Sequence, residues 1–222
     1  MLGRGGVTPH ERTPVVTSST IDPAATQDLQ LPPEVQDLLF REARTANTFS
    51  PEPVSDEQVR AIYELVKWAP TSMNTQPLRA LVVRTDEARE RLLKHMADGN
   101  RAKTAAAPLT VVLAFDADFH ENLPRLFPHA PGAKDYFADP EPRTDAARLN
   151  ALLQVGYFII GVRAAGLAAG PMTGFDADGL DAEFFGGTTW RSLVVINIGK
   201  PGEGAWFDRL PRLDYDEVVT VA

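Results

Sequence analysis

Cysteine is absent from the 222-residue chain, so it can build no disulfide framework, thiolate nucleophile or zinc–thiolate site. Basic charge is also scarce. The 22 lysines and arginines stand against 30 aspartates and glutamates, a formal net charge of -8 that argues against nucleic acid or an anionic membrane as the main partner. Long uninterrupted apolar runs are missing too. The nearest approach, residues 151–170, contains Gln154 and Arg163. A charged side chain at a bilayer centre is costly, so a buried helix is expected there and not a membrane span. No apolar signal-peptide core opens the sequence, and the expected setting is the cytoplasm. No Gly-x-Gly-x-x-Gly follows a strand, and there is no P-loop, no Gly-x-Ser-x-Gly elbow and no carboxylate pair with recognisable spacing. His120 and His129 lack HExxH-type spacing and read as surface or lid residues, so no metal site is expected.

What is present is ordinary for a globular protein, 44% hydrophobic and 23% charged residues, in a length that suits one large domain or two small ones. Residues 1–30, rich in Gly, Thr, Ser and Pro, are expected to form a flexible arm, or alternatively an arm that wraps a partner subunit. One domain is expected over residues 31–222. Its most informative stretch is Lys67-Trp-Ala-Pro-Thr-Ser-Met-Asn-Thr-Gln-Pro77. Upstream, Ser55 and Gln58 are spaced as a capping box, and Val59, Ile62, Tyr63 and Val66 form one apolar helical face. Pro70 biases Ala69 away from helical geometry, so the helix ends there. Thr71, Ser72, Asn74, Thr75 and Gln76 then offer hydroxyls, carboxamides and backbone amides between two prolines, a set suited to a planar heterocycle with donors and acceptors. The alternative is a simple turn.

Elsewhere the pattern predicts a helix from Pro33 with Val35, Leu38 and Leu39 on one face, leading to Arg44, Thr45 and Asn47. That cation, hydroxyl and carboxamide could meet a phosphate or a polar ring edge, or merely face water. A short strand is expected over Leu81–Arg84, a helix over Asp86–Met96 capped by Thr85, and a doubly covered central strand over Leu109–Phe115. Residues 116–143 shift to prolines, histidines and aromatics and read as a lid-like excursion. A long helix over Asp145–Gly166, apolar nearly all round, belongs at a fold centre or a subunit interface, with Gly166 as its cap. Gly170-Pro-Met-Thr-Gly-Phe-Asp176 allows close approach of backbone to a ligand at Gly174, or is a turn into a short helix. A second strand is expected over Arg191–Ile198.

Four of these pieces, in this order, resemble the FMN-dependent nitroreductase family: Arg44-Thr-Ala-Asn47, Ala69-Pro-Thr-Ser-Met-Asn-Thr-Gln-Pro77, Gly170-Pro-Met-Thr-Gly-Phe-Asp176 and Arg209. The resemblance covers the chain from about Pro33 onward. Ala43-Arg-Thr45, Lys67-Trp68, Leu126-Phe-Pro-His129, Gly170-Pro-Met172, Phe184-Phe185 and Arg209-Leu-Pro-Arg-Leu213 look like the branch that includes malonic semialdehyde reductase. The resemblance implies an α+β fold with a mostly antiparallel central sheet flanked by helices, in an intertwined homodimer that binds FMN at the subunit interface. It further implies that Arg44 and Arg209 meet the FMN phosphate region and that Thr45 and Asn47 lie along the ribityl and pyrimidine side. Pro70, Thr71, Ser72 and Asn74 would come from the other subunit. Asn100 and Lys103 would meet the pyrimidine edge, and the Thr173–Gly174 backbone would face N5. The implied activity is ping-pong hydride transfer from NADPH or NADH, with the flavin and no catalytic side chain carrying the chemistry.

Malonic semialdehyde is one small-molecule acceptor, and nitroaromatics, quinones or enals are the rivals; a flavin-holding dimer without turnover is the reading from another class. For an acceptor with a carboxylate, Arg125, Arg143 and Arg148 are the candidate cations. Two positions depart from the family: Asn47 stands where a lysine or arginine is frequent, and Phe207 where a lysine is. Lys103 and Arg44 are left as the sources of positive charge near the flavin.

Overall fold

The structure, a computed structural model, describes residues 29–222, so the arm expected over 1–30 lies outside the described residues except for its last two. Leu31–Phe207 forms one compact unit, and residues 208–222 group outside it.

Helix α1 (Pro33–Gln36) has proline in its first turn and runs into a wide π-type turn over Asp37–Arg41. Its expected apolar face is only partly covered, with Leu38 exposed and Gln36 buried instead. Helix α2 (Asp56–Val66) opens with the full capping box: Ser55 Oγ accepts from the Gln58 N–H and Gln58 Oε1 accepts from the Ser55 N–H. Ile62 and Val66 are buried, but Tyr63 is exposed. The helix that crosses α2 meets a narrower stripe than the sequence pattern marks out.

Strand β1 (Leu78–Val83) starts three residues before the expected position, because Leu78 already pairs with Phe115. Thr85 caps α3 (Asp86–His95) by accepting from the Ala88 N–H. Helix α4 (Asp98–Ala106) leads to β2 (Leu109–Asp116), which is buried along its whole length. Residues 117–139 are less irregular than their composition suggests. They hold short helical turns, among them α5 (Leu123–Leu126), and bury Phe119, Leu123 and Ala133. Polar ties fasten them: Arg143 pairs with Asp118 at 3.1 Å and donates to Phe137 O, and Lys134 pairs with Glu121 at 2.5 Å.

Helix α6 (Pro140–Ala164) begins five residues before the expected Asp145. Pro140 and Pro142 occupy the first turn, where no N–H is needed, and Asp139 caps the Glu141 N–H. The helix ends as expected. Gly166 takes φ +72°, its N–H donates to Arg163 O, and the Leu167 N–H reaches back to Val162 O. Strand β3 (Ala168–Met172), helix α7 (Ala177–Phe184) and strand β4 (Trp190–Gly199) complete this unit. The four strands form one antiparallel sheet in the order β1-β2-β4-β3.

The two-residue period of the strands sorts the core into two layers. Val111, Leu113, Ile196 and Ile198 pack with Ile62, Val66, Phe158 and Val162 of α2 and α6. Val112, Ala114 and Val195 pack on the opposite face with Leu92 and Met96 and with Leu180 of α7. This is the α+β arrangement expected, with helices on both faces of an antiparallel sheet. No helix among the described residues is long and apolar enough to cross a membrane. In the smaller unit, Asp214 caps helix α8 (Tyr215–Val218) with a capping box completed by Glu217.

Candidate functional site

The sequence-predicted site residues fall into two groups, at the two edge strands of the sheet. The first gathers around β3. The Ala46 N–H donates to Ala169 O at 3.0 Å, which lays residues 44–47 along the outer edge of that strand. Gly170 is obligatory for this approach, because a Cβ there would stand 2.6 Å from Ala46 O. Pro171 fits because its parity puts its missing N–H on the outer side, away from β4. By the same parity the Thr173 N–H also faces outward, and neither it nor the Gly174 N–H donates to a backbone carbonyl among the described residues.

Helix α4 closes on this corner from the side. Gly174 O accepts from both the Ala97 N–H at 3.1 Å and Asn100 Nδ2 at 2.9 Å. A Cβ on Gly174 would meet Asn100 Nδ2 at 2.6 Å. The other end of α4 is locked by a buried polar chain. Thr110 Oγ1 donates to Asn197 Oδ1 at 2.9 Å, and Asn197 Nδ2 donates to Thr104 Oγ1 at 3.2 Å. Lys103 sits on the same helix without an ion pair among the described residues. Arg44 lies close to the Phe207 carbonyl (3.4 Å) and to Glu42 (3.6 Å), while its own carbonyl accepts from Arg163 at 2.7 Å. Asn47 Nδ2 turns to Thr45 O at 3.4 Å. Residues 44–47 therefore lie beside Ala169 and Gly170 of β3, Asn100 lies beside Gly174 just past the end of that strand, and Lys103 is on the helix that carries Asn100. Arg209 belongs to the smaller unit.

The second group precedes β1. Ser72–Asn74 forms a single 3₁₀ turn in which Met73 and Asn74 take φ +51° and +53°, and Gln76 follows at +43°. Left-handed backbone costs a non-glycine residue roughly 1–2 kcal/mol, so the loop holds strain that its contacts must offset. Those contacts are specific. The Ser72 N–H donates to Asn150 Oδ1 at 2.7 Å, and the Leu78 N–H to Gln154 Oε1 at 3.0 Å. Asn74 Nδ2 donates to Leu126 O at 2.8 Å, and Gln76 Nε2 to Asn74 Oδ1 at 2.7 Å. Pro70, Ser72 and Asn74 are left exposed and Thr71 half-buried.

The two groups do not meet within one chain. Three strand spacings separate β1 from β3, roughly 14 Å in the plane of the sheet at about 4.8 Å each.

Arg143, one of three cations considered for a substrate carboxylate, is committed to Asp118 and Phe137 O and also lies 3.4 Å from His120 Nε2. Arg125 and Arg148 remain exposed. Glu121 is held below the usual carboxylate range, chiefly by the Lys134 hydrogen bond. Among the described residues no cluster of His, Asp and Glu could hold a metal ion.

Asn150 and Gln154 were not legible as site residues, although two buried carboxamides four residues apart in an apolar helix are a signal that could have found them. A cavity of about 670 Å³ lies beside β1, floored by Val59, Leu78, Val82 and Phe158 and rimmed by Arg60 and Arg125.

A family model described as "Nitroreductase family" matches residues 40–200. A Streptomyces griseus protein, named provisionally as an NADH dehydrogenase/NAD(P)H nitroreductase, is 63% identical over 193 residues, 86% of this chain and 98% of its own. Two solved structures share the fold, both provisionally assigned nitroreductases. One, from Bacillus subtilis, superposes with a TM-score of 0.77 at 22% identity over 85% of this chain and 99% of its own. The other, from Exiguobacterium sibiricum, was solved with FMN and gives 0.76 at 18% identity over 85% and 97%.

Proposed function

Because this chain belongs to the nitroreductase family, we propose that it is an FMN-dependent NAD(P)H oxidoreductase. It works as a homodimer and reduces a small carbonyl acceptor, malonic semialdehyde first among the candidates. FMN, when bound, supplies the redox chemistry, taking a hydride from NADPH or NADH and giving it up in a second half-reaction. The protein then needs no acid–base dyad, and its residues bind, orient and charge the site.

The corner at β3 fits such a group. A Cβ at Gly174 would displace the Asn100 carboxamide that holds this peptide, and among the described residues the Thr173 and Gly174 N–H groups donate to no backbone carbonyl, which leaves them for a ring nitrogen or oxygen. Asn100 fixes the Gly174 peptide plane through its carbonyl and keeps Oδ1 for a ring edge. Arg44 is assigned to the phosphate, where a guanidinium forms paired charge-assisted bonds. Thr45 and Asn47 are assigned to the ribityl and pyrimidine side. Lys103 supplies the positive charge that Asn47 does not.

The observation that carries the reading is the placement of the two groups at opposite edges of one sheet. Pro70, Thr71, Ser72 and Asn74 can complete the β3 corner only from a second copy. The apolar surface for that copy is present: Leu149, Leu152, Leu153 and Tyr157 of α6 are exposed, as are Tyr63, Leu65 and Trp68. Use of NADPH or NADH as donor is in keeping with a cytoplasmic setting, where both are available.

The test is optical. The purified protein, loaded with FMN, should show a flavin spectrum that bleaches on anaerobic addition of NADPH or NADH; a preparation that takes up no FMN sinks the reading, and one that stays yellow removes catalysis from it. A second reading of the acceptor is favoured by the names of the 63%-identical relatives, which point to nitro compounds. Steady-state rates with malonic semialdehyde and with a nitroaromatic separate the two, and a large preference for the nitro compound overturns the aldehyde.

A further inference from the structure

The inner side of α6 packs on the sheet through apolar side chains, yet two carboxamides one turn apart are buried there, Asn150 at 5% exposure and Gln154 at 7%. A carboxamide is costly to bury unless its hydrogen bonds are made, and sheet packing does not call for one. These two bond to the loop before β1 and to the first residue of that strand. Asn150 Oδ1 accepts from the Ser72 N–H and Gln154 Oε1 from the Leu78 N–H, while Asn150 Nδ2 is satisfied by Ala146 O at 2.8 Å. The two amides they receive bracket all three non-glycine residues with positive φ in the described chain, Met73, Asn74 and Gln76. A third tie, Asn74 Nδ2 to Leu126 O, holds the same turn from α5.

We propose that Asn150 and Gln154 are positioning residues for the cofactor: they hold both ends of the loop whose left-handed residues are Met73, Asn74 and Gln76, in the form that presents Thr71, Ser72 and Asn74, so FMN affinity is set in part from inside α6. The mechanism is preorganisation. Without the two acceptors the loop relaxes toward ordinary backbone angles, and binding must first restore the strained form. This rests on the reading that the loop faces FMN.

The experiment compares three full-length variants with the wild type by titration of FMN, followed through flavin fluorescence and the visible bands of the bound form. Asn150→Leu keeps the bulk and removes the acceptor. Gln154→Met does the same one turn on and carries the test alone if the first variant does not fold. Val162→Ala, in the core of the same helix, controls for loss of helix packing in general. The expected result is an FMN dissociation constant at least tenfold weaker in Asn150→Leu and Gln154→Met, with shifted visible bands, and one within twofold of wild type in Val162→Ala. Carboxamide variants that bind FMN like the wild type, or weaken no more than Val162→Ala, overturn this inference and leave the functional reading standing. A wild type that takes up no FMN overturns both.

Discussion

At the scale of the residue, a few positions decide whether a cofactor can be seated. Gly174 is the sharpest, because the atom that a side chain would meet there belongs to Asn100, whose own bond to Gly174 O fixes the peptide. Gly174→Ala is expected to weaken FMN binding at least tenfold with little loss of thermal stability, since the obstructing carboxamide can swing aside. Gly170→Ala should behave oppositely. Its Cβ would press on the Ala46 backbone, which cannot swing, so overpacking of about 1–3 kcal/mol is expected in denaturant unfolding. Equal effects of the two substitutions on stability would contradict this account. Gly174 and the run from Arg44 to Asn47 stand out in the sequence as a glycine beside a polar turn and a cation beside a hydroxyl, while Asn100 and Lys103 are marked only by the family resemblance. Asn150 and Gln154 were not legible, because each meets its partner more than seventy positions away in the chain. Arg143, too, reads differently once the chain is folded. Composition marks it as a free cation, and only the folded segment reveals that Asp118 and Phe137 O already hold it.

At the scale of the element, helix α6 organises its neighbours. It crosses α2 at Gly161, where an added Cβ would fall inside the Val66 side chain. Gly161→Ala should therefore destabilise the protein, and Val66→Ala in the same chain should recover part of the loss, a coupling visible as non-additive unfolding free energies. Additive losses would mean that the crossing is looser than the structure shows. The segment before α6 carries an acid-sensitive clasp. Hydrogen bonding from Lys134 holds the Glu121 carboxyl below its usual range, so the clasp contributes above the ordinary glutamate value and is lost as pH falls through the lowered one. The Glu121 carboxyl, followed by NMR, should titrate lower than an unperturbed glutamate, and Lys134→Met should move it back toward the ordinary range, with His120 and Arg143 still acting on it. Helix ends were the most legible features, since Ser55, Thr85 and Gly166 act on groups a few residues away. The start of α6 was hidden by Pro140 and Pro142, which break a helix in its middle but not in its first turn. The start of β1 was hidden because Leu78 is a strand residue only by virtue of its register with Phe115.

At the scale of the whole molecule, the separation of the loop from the β3 corner makes the reading testable by mixing. A chain carrying Gly174→Val and a chain carrying Asn150→Leu should each bind FMN poorly alone. Co-expressed, they should form mixed pairs in which one of the two sites has both parts intact, and affinity should return for a fraction of the flavin. No recovery at all would place both parts of a site in one chain. Leu153→Glu, on the exposed side of α6, should lower the association state in sedimentation and lower FMN affinity with it. The proline in β3 has a consequence of its own. A strand at the rim of a sheet is a standing invitation to other polypeptides, which can add themselves by hydrogen bonding to its free amides. Pro171 withholds a donor at the middle of that row, and residues 44–47 cover the part before it. A polymerising neighbour finds too little to grip, because beyond the proline only the Thr173 amide continues the outward row, and it donates to no backbone carbonyl among the described residues.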